Sequence, residues 1–466
     1  MPPTSPTPVN RDEAPPRAAV EAPPRERGDA CPGALRLHAA DDGRLARLRL
    51  PAGLLTPRQA EALAGAAERL GDGHLDLTSR GNVQLRGLGG SCGAELAELL
   101  RDAGLLPSET HERVRNIVAS PLAGLDELPS ADVQLWAREL DGLLCASARA
   151  AALSGRFLFA LDDGRGDVAA LGADVTLLAR RDGSAVVRTG ANRSGARVAP
   201  EDAPRAALLA AETFLTFAEA SGASGSGAWR VRELPAEDGR ELEAAVRARL
   251  ADAGIGTESV ADATGPDPDP DPNRSLAPSA SAGAGPGSEG EPPLPGPVMS
   301  PDGTVALSVH ARLGRLSVAQ WRLLATAANG PLRVTPWRGV IVPGVAPAAA
   351  DGVLDRLRTA GLITDPRSPW HGVGACTGRP GCAKALADVR SDAAAAVSRH
   401  GSGGLPVYWS GCARRCGHPQ GRWVDVVATG EGRYDISVQA DARPVTTTGT
   451  KLADAVAAAR TTPLTR

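Results

Sequence analysis

The chain has 466 residues, 42% of them apolar and 3% aromatic, with a formal net charge of -3. That length exceeds what one core ordinarily spans, so several domains are expected. The near-neutral charge and the scarcity of rings argue against a bulk-basic nucleic-acid binder or a single-strand stacking platform, and there is no run of 18 apolar residues to suggest a membrane helix.

Residues 1–29 are rich in Pro, Ala and charge, and they are expected to form a disordered tail without the apolar stretch of a secretory signal. The segment ARLRLPAG then alternates like a half-buried strand. Thr56 and Pro57 take the N-cap and first helical position ahead of PRQAEALAGAAERL, which carries apolar residues at helical spacing. HLDLTS and VQLRGL read as two short strands around a Ser-Arg-Gly-Asn turn. Residues 257–299, Asp-Pro repeats followed by Ser, Gly and Ala, read as a disordered linker between folded halves at 30–256 and 300–466.

The halves repeat each other. GLLTPRQAEALAGAA, from Gly53, matches GRLSVAQWRLLATAA, from Gly314, at an offset of 261. HLDLTSRGNVQLRGL and PLRVTPWRGVIVPGV follow at an offset of 257, with Thr78 on Thr335 and Gly87 on Gly344. The four-residue difference falls in the intervening turn, RLGDGH against NG. The pattern predicts a small α+β unit used twice.

The seven cysteines are odd in number and thinly spread, unlike a secreted disulfide framework, so a reducing, cytoplasmic setting is expected. Four of them form Cys376-TGRPG-Cys382 and Cys412-ARR-Cys416. Four thiolates are what an iron–sulfur cluster needs, and Gly and Pro inside the first pair let the backbone wrap a bulky inorganic group. Structural zinc usually pairs cysteines two to four residues apart; the first spacing is too open for that habit, while the second fits either metal. Cys31, Cys92 and Cys145 stand alone and are expected to be small buried hydrophobes.

The form ACTGRPGCAKA…SGCARRCG resembles the sulfite and nitrite reductase family. LTSRGNVQLRG resembles that family's tetrapyrrole-binding Thr-x-Arg segment, and VRNIVASPLAG its Arg-Asn…Pro segment. The resemblance implies an α+β, internally duplicated fold with pseudo-two-fold symmetry. Ferredoxin-like half-domains would lie at 30–100 and 300–365. Larger α/β half-domains would lie at 101–256, without cluster cysteines, and at 366–466, with them. It further implies that Cys376, Cys382, Cys412 and Cys416 hold a [4Fe–4S] cluster. Thr78, Arg80, Asn82, Gln84, Arg115, Asn116 and Arg156 would then bind a tetrapyrrole, with Arg86, Arg113, Arg414 and Arg415 close by.

CPGALRLHAADDGRLARLRLPAG, RFLFALDDGRGDV and RVTPWRGVIVPG resemble a branch of the family that takes a tetrapyrrole as substrate, an O2- and NADH-dependent monooxygenase of aerobic cobalamin biosynthesis. The reductases' Lys-x-Lys pair, which grips a small anion, corresponds to Arg156-Phe157-Leu158, so one cation is replaced by Leu. The branch implies a mononuclear non-haem iron beside the cluster, NADH-derived electrons delivered by a separate reductase or ferredoxin, and O2 and a small-molecule tetrapyrrole as partners, with no nucleic acid and no membrane. Sirohaem belongs to the alternative, an assimilatory sulfite or nitrite reductase. Catalytic residues and ligands of the second iron are unknown from the sequence: none of the seven histidines sits in an H-x-D or H-x-E pattern. No G-x-G-x-x-G opens a helix after a strand, so an NADH-binding domain is not expected.

Overall fold

The computed structural model describes residue 29 and residues 31–128, 131–220, 227–261, 290–397, 403–419, 421–439, 445–448 and 451–461. The expected tail, apart from Asp29, and the central part of the expected linker lie outside these residues.

Local chemistry repeats at the offsets read from the sequence. Thr56 Oγ1 accepts from Gln59 N at 3.3 Å while the Gln59 side chain accepts from Thr56 N at 3.0 Å; Ser317 and Gln320 form the same reciprocal pair at 3.2 and 2.9 Å. These boxes start the helices Pro57–Leu70 and Val318–Ala327. Immediately upstream, Ala52 and Leu313 adopt φ of 55° and 53°, and Gly53 and Gly314 follow at 68° and 73°. A Cβ on Gly53 would stand 1.9 Å from Val334 O, so only glycine lets the two repeats cross here.

That crossing exchanges strands. One sheet runs His38–Ala40, Gly43–Leu48, Val83–Leu88, His74–Leu77 and then Arg315–Ser317 from the second repeat. Its twin runs Gly296–Met299, Val305–His310, Gly339–Val345, Leu332–Val334 and then Leu54–Leu55 from the first. The pairings Leu48↔Val83 and Val309↔Val340 are related by the same two offsets. A single apolar core runs through both half-domains. Trp321, fully buried in it, donates from Nε1 to Ala60 O at 2.8 Å, and Ala60 is its own counterpart in the other repeat.

The larger half-domains share a topology as well. Ile117–Ala119, Phe159–Asp162 and Val175–Ala179 run parallel, followed by antiparallel Ala185–Thr189, Gly195–Val198 and Glu258–Val260. Val373–Ala375, Val407–Ser410 and Val424–Gly430 run parallel, followed by antiparallel Arg433–Val438 and Val445–Thr448. Just past the first strand, Ser120 N donates to Leu161 O at 3.1 Å and Cys376 N to Trp409 O at 2.9 Å, so Ser120 holds the place of Cys376. The chain is thus an α+β molecule with a pseudo-two-fold axis.

Two expectations need correction. The linker is shorter than 257–299, because Glu258–Val260 pairs with Gly195–Arg197 and Gly296–Met299 pairs with Val305–Ser308. Each is an edge strand satisfying a neighbour's backbone groups, a demand that composition does not record. Cys31, Cys92 and Cys145 are each partly exposed rather than buried. Among the described residues, no helix is long and apolar enough to cross a membrane.

Candidate functional site

Two loops carry the four cysteines. Cys376 follows strand Val373–Ala375 directly, and Cys412 and Cys416 follow the adjacent parallel strand Val407–Ser410. Neighbouring parallel strands end on the same edge, which brings both pairs to one place. The loops touch there: Gly411 N donates to Cys376 Sγ at 3.1 Å, and a Cβ on Gly411 would lie 2.8 Å from Ala385 Cβ and 3.4 Å from Gly378 Cα. Burial first, then the charges of Cys382 and Cys412, push the Cys376 thiol up; burial, then Cys412 and Cys376, do the same for Cys416. The four thiols are therefore within electrostatic reach of one another.

The donor set fits an iron–sulfur cluster better than a closed zinc site. Tetrahedral zinc at about 2.3 Å from each sulfur would draw the sulfurs to about 3.8 Å from each other. Among the described residues, the group of three or more metal-ligand atoms lying within 4.8 Å of one another is Asp162, Asp163 and Asp167, not the cysteines. Sulfurs not drawn to that spacing, on loops lined by Gly378 and Gly411, suit a larger inorganic group such as an iron–sulfur cluster. Arg390 beside it has a buried Nη1 without a hydrogen-bond partner.

A second feature lies in the first repeat. The strand Gly43–Leu48 leads into Arg49, which is 3% exposed. Arg49 donates to Arg113 O at 3.1 Å and to Gly155 O at 3.5 Å; Arg80 Nη1 reaches Gly155 O at 3.4 Å and Asn116 Nδ2 reaches it at 2.7 Å. Asn82 bridges inward, donating to Asn116 Oδ1 at 3.1 Å and accepting from Leu50 N at 2.9 Å. Gln84 accepts from Arg47 Nη2 at 3.1 Å. Thr78 Oγ1 accepts from Asn82 N at 3.2 Å and so shapes the turn that carries Arg80.

The cations outnumber the anions available to them. Burial, then the charge of Arg47, pulls Arg49 down to about 9; burial, then Arg230, pulls Arg80 down to about 10. Arg47 Nε and Arg49 Nη1 are buried without hydrogen-bond partners. Glu112 is already committed, accepting from Ala34 N and Leu35 N at 2.5 and 2.9 Å, and Asp174 is paired with Arg230. Guanidiniums crowded out of water in this way favour an incoming carboxylate or phosphate.

Of the residues singled out by sequence, Arg80, Asn82, Gln84 and Asn116 gather around this feature. Arg156 is exposed, its guanidinium 4.6 Å above the Trp229 ring. Arg115 points the other way: Nε and Nη2 grip Asp141 at 2.6 Å each and Nη1 reaches Leu105 O at 3.3 Å, inside the protein. Sequence reasoning missed Arg47, Arg49 and Arg230. The first two were readable as cations two apart on one face of a strand whose other face is Leu48 and Leu50.

The comparisons with known proteins agree with this architecture. The nitrite/sulfite reductase ferredoxin-like half domain matches residues 38–103 and 299–360. The chain is 27% identical over 409 residues to a ferredoxin–nitrite reductase of Synechococcus elongatus, covering 81% of this chain and 74% of that one. It is 26% identical over 416 residues to a precorrin-3B synthase from a Sinorhizobium species, covering 87% and 82% respectively. The solved structure of the Mycobacterium tuberculosis NirA protein shares the fold with a TM-score of 0.62 at 18% identity, over 89% of this chain and 79% of that chain. A strand-exchanged pair of half-domains joined to a four-cysteine loop set defines an oxidoreductase scaffold. The chain carries the half domain of the nitrite/sulfite reductase family twice and is similar to members of that family over most of its length.

Proposed function

We propose that the chain is the tetrapyrrole-oxidising member of this family, a precorrin-3B synthase. In this reading it hydroxylates precorrin-3A in an O2- and NADH-dependent reaction and closes the γ-lactone during aerobic cobalamin biosynthesis. One observation carries the choice of a polycarboxylate macrocycle as ligand. At the two repeat offsets, Arg47, Arg49 and Arg80 correspond to Ser308, His310 and Trp337. The second half-domain builds the same sheet without those cations, so the fold does not need them; a ligand with a rim of carboxylates does. Each sheltered guanidinium–carboxylate bond contributes about 1.5–3 kcal/mol. Leu158, where the reductases carry a second cation, removes the grip on a small inorganic anion.

The roles follow from position. Arg47, Arg49 and Arg80 bind the carboxylate rim, the Asn82–Asn116–Gly155 chain fixes their direction, and Arg156 stands at the exposed margin. Cys376, Cys382, Cys412 and Cys416 hold the [4Fe–4S] cluster. That cluster, with a mononuclear non-haem iron, supplies the single-electron chemistry that O2 requires. Electrons derived from NADH arrive through a separate reductase or ferredoxin, in the cytoplasm.

The sirohaem-dependent sulfite or nitrite reductase is the second reading. The 27% match to a nitrite reductase favours it, and sirohaem carboxylates would suit the same cations. An anaerobic visible spectrum and a turnover assay on the purified protein separate the two. Iron–sulfur absorption without macrocycle bands, together with O2-dependent consumption of precorrin-3A, is expected. Stoichiometric sirohaem with nitrite or sulfite turnover would overturn the proposal.

A further inference from the structure

Equivalent positions of the two repeats reach across to the other repeat's large half-domain, but with opposite charge. Arg333 donates through Nη1 to Pro121 O and Ala123 O, both at 2.8 Å. Its counterpart at the offset of 257 is Asp76, which accepts from Arg390 Nη2 at 3.0 Å. Arg390 stands at the start of the helix Val389–Val397, and its Nε reaches Cys376 O at 3.3 Å. The first clamp takes its cation from the half-domain. The second takes it from the cysteine-bearing side and lays it against the backbone of the first cysteine.

The Arg390 side chain is 18% exposed and that of Asp76 12%, so the pair works in a medium that screens weakly. Nη1 of Arg390 is buried and has no hydrogen-bond partner. A clamp alone would leave such a donor costly. Beside four cysteines arranged to hold a cluster it has a use.

We propose that Arg390 is a positioning residue that sets the reduction potential of the cluster: anchored by Asp76, it holds a buried positive charge and a free N–H beside Cys376. The inference rests on the iron–sulfur reading of the four cysteines and not on the choice of substrate. Reduction adds an electron to the cluster, and a fixed cation nearby stabilises the reduced form; charge and hydrogen bonds to sulfur are the protein's main means of setting such potentials. Arg415, between the second pair of cysteines, is also ion-paired, to buried Asp425, but its side chain is 40% exposed, against 18% for Arg390.

The test is a potentiometric titration, followed by electron paramagnetic resonance, of the full chain reconstituted with iron and sulfide under anaerobic conditions. Arg390→Met is expected to keep its iron content and lower the midpoint by at least 59 mV, a tenfold shift in a one-electron equilibrium. Arg390→Lys, which keeps the charge, should recover more than half of the loss. If Arg390→Met does not fold, Arg390→Gln, also neutral, takes its place and should show the same drop. A neutral variant with the wild-type midpoint, a Lys variant no better than the neutral ones, or loss of the cluster in all three would overturn the proposal; the last would make Arg390 a structural clamp. Wild-type protein that binds zinc and no iron would instead refute the cluster reading, before any variant is made.

Discussion

Replacing Arg115 by Met tests which arginines serve the fold and which serve a ligand. The Arg115 and Asp141 side chains are 6% and 19% exposed, with both contacts at 2.6 Å. Removing the guanidinium strands a carboxylate in a half-closed site on helix Val133–Ala146. Breaking a buried pair from one side costs roughly 3–5 kcal/mol, and the residual solvent at Asp141 places this case near the lower end, about 3 kcal/mol. For a domain of this size that corresponds to a fall of about 6–12 °C in the unfolding midpoint. Arg115→Met/Asp141→Leu should recover most of the loss, because the uncompensated charge goes with its partner. Thermal unfolding by circular dichroism reads the stability, and fluorescence titration with coproporphyrin reads carboxylate-macrocycle binding. The single variant should lose stability and keep its affinity when assayed well below its midpoint. A variant of normal stability that no longer binds would show that Arg115 faces the macrocycle, and the assignment of the pocket would fail.

Arg49→Met should do the reverse: lower coproporphyrin affinity about 10- to 150-fold, the equivalent of one sheltered charged hydrogen bond, while stability stays within about 1 kcal/mol, since an unfavourably buried charge leaves together with two hydrogen bonds. Equal binding by Arg49→Met and wild type would remove it from the pocket. Burial, then His371, pulls His310 down to about 4 from 6.5. The unfolded chain therefore binds the proton more tightly between those values: stability is level above pH 6.5 and falls by about 3 kcal/mol as pH drops toward 4. His310→Gln should flatten that acid limb in denaturant titrations run at several pH values; an unchanged slope would contradict the assignment. Trp321→Phe should cost about 2–4 kcal/mol through the lost bond to Ala60 O and a partial cavity at the join of the half-domains, and an effect below 1 kcal/mol would mean the join repacks freely.

The duplication was legible because both copies kept their spacing: capping boxes, left-handed glycines and strand registers recur at the two offsets. The four cysteines stood out in the sequence because they lie in two short segments, and the structure places those segments on loops at one edge of the sheet. The strand exchange was not, since Leu54–Leu55 is too short to carry a periodic signal and its partner Leu332–Arg333 belongs to the other repeat. The role of Arg115 was not, because its neighbours in sequence do not disclose that Asp141, one helix further on, will meet it. Arg390 was passed over for a similar reason: its significance depends on Asp76, a residue of the opposite repeat.

The same symmetry shows how the two repeats divide the work. Ser120 occupies the place of Cys376, and its Oγ donates to Asp167 Oδ1 at 2.6 Å. The loop that corresponds to the second cysteine pair is closed by carboxylates instead: Asp162 accepts from the backbone N–H groups of Gly164, Gly166, Val168 and Ala169, and Asp163 is locked to Arg165. The first repeat therefore keeps the cations and fills its own cysteine position with a loop closed by the carboxylates of Asp162, Asp163 and Asp167, of which Asp167 Oδ2 is left without a hydrogen-bond partner. The second keeps the cysteines and fills the cation positions with Ser308, His310 and Trp337. A symmetric dimer of the first repeat would have two arginine groups and no cysteine quartet, and a dimer of the second the opposite. Only the fused, strand-exchanged chain sets one of each at a fixed separation, with strand Val83–Leu88 spanning both: Gln84 meets Arg47 at one end, and Arg86 holds Asp42 and Gly381 O, beside Cys382, at the other. Under the proposed function, electron transfer from a cluster held by the cysteines to a macrocycle held by the cations would depend on that separation, and one strand, Val83–Leu88, joins the two places.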